Sequence, residues 1–356
     1  MKKVLVILPC DQMGGAEKIL FELSSYFHQN DFQIKVIFIK KSISGYWNKN
    51  LKGLDKIYFK SNSEFKGLLS LVKYFLQNKS TYDYVLTSHL HLNGFVGLLR
   101  KLRVLKCKYQ IGRESTFVFD RFSGFKLLLF KMFYFLGYSK IDLLITQSEA
   151  MKNHVISYLN PFSMPKRVQT IPNLFNLEEA IKKSNDFIPD FPEYIVSAGR
   201  LITEKGFDLL IQSYKQLNTN KKLIILGEGV QRKFLEELIA KESQTDNIFL
   251  LGFVENPMPY FKHAQLCVVS SRVEGFPNVL LQMMALNNNV VSTLCAPGVE
   301  SLNGVINCKT NDVIALCDAM QIGLANENDN TDVFKDELLS RNVPSFWKKI
   351  QDNLMV

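Results

Sequence analysis

Short apolar runs and longer amphipathic segments alternate along the first half of the chain. The apolar runs that predict strands lie at 4–8, 33–39, 82–89, 107–111 and 141–148. The amphipathic segments that predict helices lie at 14–29 and 92–102 and from residue 149 onward. Strand, helix and strand at this spacing are typical of a parallel sheet covered by helices on both faces. The pattern therefore predicts a doubly wound, Rossmann-like α/β domain at residues 1–175.

The pattern begins again after a polar stretch with two prolines at 176–192, which we interpret as a linker. Strands are then expected at 193–200, 222–229, 247–253, 265–271 and 289–293, the last of which would close the series. We therefore expect a second doubly wound domain at 193–340, facing the first across a central cleft. Residues 341–356 should form one more helix, which could pack back on the first domain. In such sheets, ligands bind at the carboxyl ends of the strands.

The net charge of +9 hides an asymmetry between the two halves of the chain. Residues 1–180 hold 26 Lys+Arg and 13 Asp+Glu, a net charge of +13, and residues 181–356 hold 17 and 21, a net charge of −4. A basic first half favours contact with an anionic partner, such as nucleic acid or a membrane face. Because no nucleic-acid recognition motif is evident, we expect no nucleic-acid partner.

An aromatic segment at 117–140 carries interleaved cations. They are Arg121, Lys126, Lys131 and Lys140. This composition suits a surface lying in a lipid interface. It suits equally a buried core helix whose lysines reach out to solvent. The six cysteines are scattered without a C-x-x-C pair, and no segment reaches the length of a spanning helix, so we expect a cytoplasmic protein.

Several polar residues follow predicted strands and are candidates for binding chemistry. In SSRVEGFPNVLLQMMAL, Glu274 precedes an apolar helix pattern that could start at Pro277, and Gln282 is a lone amide within that pattern. Free amides at such a helix start favour an anion, whereas the alternative is a capped core helix with one tolerated amide. In SAGRLITEKGFD, Arg200 and Lys205 flank a turn, which suits a diphosphate, although two solvated surface cations are the commoner case.

The first half offers weaker candidates. GGAEK opens a helix after the first strand, but it is not a dinucleotide fingerprint. TSHLHLNG places His89 and His91 at a strand end without a third metal ligand of suitable spacing. His89 is as plausible in the cleft as in a packed polar position. Arg113 and Glu114 in GRESTF could form an ion pair, either in the cleft or exposed. No Asp-x-Asp metal–nucleotide motif is present, and we expect no metal or other cofactor.

The order and spacing of eight short stretches make the chain resemble the retaining glycosyltransferases of family 4, which have the GT-B architecture. The matching stretches are GGAEK, ITQSEAMKNHV, IPN, SAGRLITEKGFDLLI, LIILGEG, LLGFVENPMPYF, SSRVEGFPNVLLQMMAL and STLCAPGVESL. The resemblance implies a nucleotide-sugar donor, such as a UDP-sugar, bound by the second domain. It implies a polyprenyl-diphosphate-linked saccharide acceptor bound by the first, in capsule, O-antigen or exopolysaccharide synthesis at the inner membrane face.

The resemblance also implies roles for individual residues. Arg200 and Lys205 would hold the donor diphosphate, and Glu274 would contact the donor sugar. Backbone groups would line sugar and phosphate at Gly275, Phe276, Pro277 and Asn278, with phosphate-facing amides at Val279 and Leu280. Gly199 would belong to the donor site, Phe253 would lie near the base, and Gly15 would lie near the phosphates.

Two positions depart from the family pattern. The family places a second glutamate eight residues after the first, where it binds the ribose hydroxyls, but this chain has Gln282. The family histidine of the first domain is also absent, since that stretch reads GRES. Arg113 or Glu114 would then serve on the acceptor side, or His89 would take part in catalysis. A GT-B epimerase of UDP-sugars and an inactive nucleotide-sugar-binding subunit remain alternative functions.

Overall fold

The computed structural model describes residues 1–12, 14–43, 45–114, 124–159 and 161–355, apart from the side chains of Phe125 and Lys126. The chain divides into two compact units. Unit 1 comprises Met1–Leu174 and Val343–Val356, and unit 2 comprises Phe175–Asn342. Arg121 and the aromatic residues from 117 to 123 lie outside the described residues, so the lipid-interface prediction for them stays a prediction.

Unit 1 is built on a seven-stranded sheet in which neighbouring strands are parallel. The strand order is β3-β2-β1-β4-β5-β6-β7. The strands are β1 Lys2–Leu8, β2 Phe32–Phe38, β3 Asp55–Tyr58, β4 Thr81–Thr87, β5 Lys106–Arg113, β6 Leu143–Thr146 and β7 Val168–Thr170. Central strands such as β1 are buried on both faces, which is why they are recognisable as continuous apolar runs.

Helices cover both faces of this sheet. One core includes side chains from α1 Gly15–Gln29, α2 Tyr46–Asn50 and the terminal helix Val343–Met355. The other includes side chains from α3 Glu64–Gln77, α4 Leu90–Lys101, α5 Gly124–Gly137 and α6 Glu149–Tyr158. Helix α5 packs closely on α4, since a Cβ on Gly97 would lie 2.1 Å from the carbonyl oxygen of Gly137.

The terminal helix Val343–Met355 belongs to unit 1, although the chain reaches it from unit 2. The Trp347 ring lies 4.7 Å from the ring of Phe27 in α1 and 5.0 Å from the ring of Tyr84 in β4, measured between centroids. The Arg167 guanidinium also donates to the backbone carbonyl of Asn353. The helix therefore contributes to the core of unit 1.

Unit 2 contains a six-stranded sheet of parallel strands in the order β10-β9-β8-β11-β12-β13. Its strands are β8 Tyr194–Ala198, β9 Lys222–Leu226, β10 Ile248–Gly252, β11 Leu266–Val269, β12 Val290–Thr293 and β13 Ile306–Cys308. The expectation that residues 289–293 close the series was wrong, because β13 pairs with β12. Strand β13 has only three residues, and its central residue is a polar asparagine, so its apolar signal is weak.

The helices of unit 2 also form two layers. They are α7 Leu177–Lys183, α8 Phe207–Gln216, α9 Arg232–Lys241, α10 Met258–His263, α11 Asn278–Met284, α12 Val313–Leu324 and α13 Thr331–Leu339, and the terminal helix of unit 1 is α14. Helices α8, α9 and α12 share one core, and α7, α10, α11 and α13 share the other. Helix α7 lies inside the stretch that we interpreted as a linker. Among the described helices, none combines the length and apolar character needed to cross a membrane.

Candidate functional site

Three loops of unit 2 follow the carboxyl ends of the neighbouring strands β9, β8 and β11. The loop after β8 begins with Gly199 and Arg200, and the loop after β11 contains Glu274. The loop after β9 begins at Gly227, whose amide donates to the carbonyl of Gly252 at 2.7 Å. Because parallel strands end at the same edge of a sheet, these loops lie at one edge of unit 2.

A tight turn brings Lys205 to Glu274. Residues Thr203–Lys205 form one turn of 3-10 helix, and Gly206 follows with φ +63°. A Cβ at Gly206 would lie 2.2 Å from the carbonyl oxygen of Ser270, so the close approach of the two loops requires glycine here. Lys205 Nζ then lies 2.6 Å from Glu274 Oε1. The structure thus joins two predicted site residues that are far apart in sequence.

The Lys205–Glu274 pair is only partly shielded from solvent. The two side chains are 16% and 15% exposed, and Ser271 Oγ donates to the same Glu274 oxygen at 2.7 Å. The Glu274 amide donates to the carbonyl of Cys295 at 2.8 Å, which fixes the backbone beneath the carboxylate. An ammonium has three N–H groups, and this ion pair uses one of them. The pair therefore retains capacity to bind a further anion or hydroxyl.

A second ion pair holds the same two loops together. The Arg272 guanidinium donates to both carboxylate oxygens of Asp208, each at 2.7 Å. It also donates to the carbonyl of Thr203 at 2.9 Å. Burial raises the pKa of Asp208, but the hydrogen bond and charge of Arg272 outweigh it and hold the pKa below its usual value. This bidentate pair keeps the turn before Gly206 next to the loop that carries Glu274.

Arg200 remains available at the same edge. Its side chain is exposed, and the guanidinium has no hydrogen-bond or ion-pair partner in the part of the chain that the structure describes. The neighbouring Gly199 packs on the stem of Lys205, since a Cβ there would lie 3.3 Å from Lys205 Cδ. Among the described residues at this edge, Arg200 is therefore an unpaired cation and Lys205 a paired one, an arrangement suited to a diphosphate.

The helix start after Glu274 differs from the expectation. Pro277 is the N-cap residue, and α11 begins at Asn278, not at the proline. The Leu280 amide donates to the carbonyl of Pro277 at 2.9 Å, so it is not free for a phosphate. The Leu280 amide is occupied because the first turn of the helix closes tightly, which the residue pattern does not reveal.

The remaining donor-site predictions fall on side chains of contrasting exposure. Gly275 and Val279 are half-buried, whereas the Phe276 ring belongs to the core of unit 2. Gln282 is half-buried, and its amide makes no hydrogen bond to any described residue. Phe253 follows β10 and is 78% exposed, so its ring is available for stacking. The assignment of these residues to a donor stays a prediction.

In unit 1, His89 has a partner that the sequence did not suggest. Its Nε2 lies 3.1 Å from Glu17 Oε1, and its Nδ1 lies 3.3 Å from Ser88 Oγ. Burial raises the pKa of Glu17, but the hydrogen bond and charge of His89 lower it below its usual value. Both ring nitrogens are therefore engaged within unit 1, and contact with a substrate would require one of them to exchange partners.

Glu17 also covers the start of α1. Gly15 is the first residue of this helix, and a Cβ on the preceding Gly14 would lie 2.5 Å from Glu17 Oε2. A carboxylate at a helix start satisfies the free amides there. The anion that lies at this helix start is therefore the side chain of Glu17, which a phosphate near Gly15 would have to displace.

Arg113 and Glu114 are both buried, which excludes an exposed ion pair, one of the two alternatives left open for them. Their exposures are 3% and 2%. Glu114 accepts hydrogen bonds from the Tyr138 hydroxyl and from Asn93 Nδ2, and Arg113 donates to Asn173 Oδ1. Burial raises the pKa of Glu114 to about 7 and lowers the pKa of Arg113 to about 10.

The second histidine of TSHLHLNG has a separate environment. His91 Nε2 lies 3.7 Å from Glu64 Oε2, and Glu64 also pairs with Lys40 at 3.0 Å. Among the described residues, no three His, Cys, Asp or Glu side chains are grouped so as to hold a metal ion.

Comparison with known proteins finds a family match within unit 2. Residues 178–333 match the sequence model of glycosyl transferases group 1. Unit 2 is therefore similar to glycosyl transferases group 1. Its match begins in α7 and ends in α13, so it spans the loops that carry Arg200, Lys205 and Glu274.

Two relatives of this chain have names that specify lipid-linked saccharides. One is N-acetylgalactosamine-N,N'-diacetylbacillosaminyl-diphospho-undecaprenol 4-alpha-N-acetylgalactosaminyltransferase of Campylobacter jejuni, 34% identical over 222 residues, which cover 61% of this chain and 60% of the relative. A second C. jejuni enzyme, GalNAc-alpha-(1->4)-GalNAc-alpha-(1->3)-diNAcBac-PP-undecaprenol alpha-1,4-N-acetyl-D-galactosaminyltransferase, is 24% identical over 361 residues, 96% of this chain and 92% of that one. The chain covers only 45% and 60% of the length of two relatives that are more than 30% identical to it.

A solved structure shows the fold. Anabaena HepE in complex with UDP and glucose superposes with a TM-score of 0.79 at 15% identity, covering 100% of both chains. Together with the two parallel sheets, this confirms the predicted class, a GT-B fold of two doubly wound Rossmann-like domains.

Unit 2 also contains functional candidates that the sequence pattern did not mark. Asp208 and Arg272 lie within quoted motifs, but only the structure joins them across 64 residues. Ser271 precedes Glu274 by three residues and hydrogen-bonds to it. In unit 1, Glu17 is the fourth residue of GGAEK, and a carboxylate in the first turn of a helix was the available signal.

Proposed function

We propose that this chain is a retaining glycosyltransferase that moves a sugar from a nucleotide-sugar, a UDP-sugar in our proposal, to a lipid-linked saccharide. The observation that carries the proposal is the Lys205–Glu274 pair beside the free Arg200, at the strand ends of unit 2, whose sequence matches glycosyl transferases group 1. This edge supplies the two kinds of group that a nucleotide-sugar needs, cations for the diphosphate and a carboxylate for sugar hydroxyls.

The proposed chemistry follows from the charges. The glycosidic C–O bond of the donor breaks, and negative charge develops on the departing nucleoside diphosphate. Arg200 and Lys205 stabilise that charge by electrostatics that are already in place before the reaction. Glu274 binds a sugar hydroxyl and keeps the Lys205 ammonium oriented. The acceptor hydroxyl forms the new C–O bond on the same face of the sugar, and its proton passes to an oxygen of the departing diphosphate. No metal ion takes part in this proposal.

The rest of the donor site is assigned by position. Backbone groups from Gly275 to Asn278 line the sugar, and Gln282 faces the ribose with one acceptor oxygen instead of a carboxylate. Phe253 lies beside the base. Of the proposed amides, that of Val279 serves the phosphates, because the Leu280 amide is used by the helix.

The acceptor belongs to unit 1 in this proposal. The names of the two C. jejuni relatives specify acceptors carried on undecaprenyl diphosphate. The polar edge of unit 1 holds Glu17 and His89 near the surface, with Arg113 and Glu114 buried beneath them. We assign hydroxyl recognition to His89 and a supporting role to the buried pair. The product would serve surface-polysaccharide assembly.

Membrane contact of unit 1 is part of the same proposal. Helix α3 exposes Phe65, Leu69 and Leu76 by 71%, 55% and 60%, and α5 exposes Leu128 and Phe135 by 63% and 59%. Both helices pack on the same face of the sheet, in the half of the chain with net charge +13. Apolar side chains among lysines suit the surface of an anionic bilayer, on the cytoplasmic face. The test is co-sedimentation of the protein with anionic vesicles. Binding that weakens as salt is added supports membrane contact, and equal amounts of sedimented protein with and without vesicles at low salt contradict it.

The donor proposal is tested with a panel of UDP-, GDP- and other nucleotide sugars. Wild-type protein should show thermal stabilisation by one donor, together with slow donor hydrolysis, and Arg200→Ala should weaken both. Lys215→Ala is the matched control, because Lys215 pairs with Glu242 at the far end of α8. The proposal fails if no nucleotide or nucleotide-sugar stabilises the wild-type chain at millimolar concentration.

A further inference from the structure

An arginine that belongs to no quoted motif lies behind the loop of Glu274. The Arg341 guanidinium carbon lies 5.4 Å from the centroid of the Phe276 ring. The Arg341 side chain is 8% exposed, and its Nε donates to Glu337 Oε1 at 2.7 Å. Its Nη1 is buried without a hydrogen-bond partner among the described residues. The attraction between a cation and an aromatic face is stronger when the cation is buried, because water does not screen it.

Arg341 also lies where the chain leaves unit 2. Unit 2 runs from Phe175 to Asn342, and the Phe175 amide donates to the Arg341 carbonyl at 2.8 Å. The backbone of Arg341 therefore links the segments at which the chain enters and leaves unit 2. Its side chain contacts the loop that carries Glu274.

Phe276 is the anchor of that loop. Gly275 has no side chain, and the Glu274 side chain is occupied by Lys205 and Ser271. The Phe276 ring is the side chain between Glu274 and Pro277 that enters the core of unit 2. Whatever fixes this ring also fixes the backbone on either side of it, including the backbone beneath the Glu274 carboxylate.

We propose that Arg341 is a positioning residue that acts through Phe276 to hold residues 274–277 in the geometry that the donor sugar requires. The inference rests on the proposed function for its kinetic consequence, but not for the structural contact. Glu337 fixes the guanidinium over the ring, and the bond to Phe175 fixes the backbone of Arg341. Arg341 itself touches no reacting atom.

The test compares Arg341→Met, which keeps length and loses charge, with Arg341→Lys, which keeps charge. Arg341→Met should lower kcat about tenfold with the donor KM within about twofold, and Arg341→Lys should recover most of the loss. The surface variant Lys215→Met is the control. A general loss of folding would affect both Arg341 variants alike, and equal loss of kcat in them overturns the proposal.

Hydrogen exchange of the full chain gives a readout that needs no activity. Exchange should quicken about tenfold at residues 274–280 in Arg341→Met and remain unchanged in α8. Unchanged exchange at 274–280 refutes the positioning role, even if the wild-type chain transfers no sugar. A wild-type chain without turnover but with quickened exchange in the variant refutes the proposed function alone.

A double-mutant cycle with Phe276→Leu tests the route. If Arg341 acts through the ring, removal of both side chains should cost no more kcat than the larger single loss. Additive losses would overturn the inference.

Discussion

Burial of Glu114 should make the stability of unit 1 depend on pH. Burial raises the pKa of this carboxyl to about 7, against 4.5 for the same group in the unfolded chain. Between these values the folded unit holds a proton that the unfolded chain has released. The stabilisation that protonated Glu114 gives to the folded unit is fully present below about pH 4.5. It is lost as the pH rises through about 7. At about 1.4 kcal/mol per pKa unit, the loss is on the order of 3 kcal/mol.

Glu114→Gln removes this titration and preserves the contacts. Both hydrogen bonds, from the Tyr138 hydroxyl and from Asn93 Nδ2, reach Oε1 of Glu114, and glutamine keeps an acceptor oxygen there. We expect the unfolding free energy of wild-type unit 1 to fall by roughly 3 kcal/mol relative to the variant between pH 5 and pH 8. The chain has two tryptophans, Trp47 and Trp347, and both are buried in unit 1. Their fluorescence in urea therefore reports on this unit.

A matched control is Glu149→Gln, which removes an exposed carboxylate from the first turn of α6 in the same unit. It should leave the pH dependence of wild-type unfolding unchanged. If Glu114→Gln and the wild-type chain lose stability in parallel between pH 5 and pH 8, Glu114 is ionised in the folded unit and the reasoning is refuted.

Two further predictions concern unit 2. Gly206→Ala should destabilise unit 2 by about 1–3 kcal/mol or more, because φ is +63° and the new Cβ would meet the Ser270 carbonyl. Far-UV circular dichroism in urea would measure the unfolding free energy. A variant as stable as the wild-type chain would contradict the prediction. Gln282→Glu should tighten UDP binding roughly tenfold in calorimetry if the side chain faces the ribose, since a carboxylate accepts hydroxyl hydrogen bonds more strongly than an amide. Unchanged affinity would place Gln282 outside the ribose site.

The regular part of the fold was predictable because its strands are buried on both faces. Continuous apolar runs such as 4–8 and 223–226 mark such strands directly. Strand β13 was missed because three residues with a central asparagine carry little signal. Helices α7 and α13 were missed because they lie in polar stretches, where their few buried residues set no clear period.

The candidate site was predictable only as far as its loops. Strand ends and the glycine turn indicated where Arg200, Lys205 and Glu274 lie along the chain. Their partners could not be predicted, because the contacts join distant segments: Lys205 to Glu274 across 69 residues and Tyr138 to Glu114 across 24. The burial of Arg113 and Glu114 depends on Asn93, Tyr138 and Asn173, which come from other elements. Contacts between residues so far apart in the sequence cannot be predicted from local residue patterns.

The most direct test of the central claim is the transfer of labelled sugar from the donor found in the panel to an undecaprenyl-diphosphate-linked acceptor. The wild-type chain should form product with the anomeric configuration of the donor retained. Arg200→Ala and Lys205→Ala should each lower turnover by on the order of a hundredfold, the usual loss for one electrostatic stabiliser, while Lys215→Ala should not. Full turnover in both variants would contradict the assignment of the leaving diphosphate to this edge of unit 2.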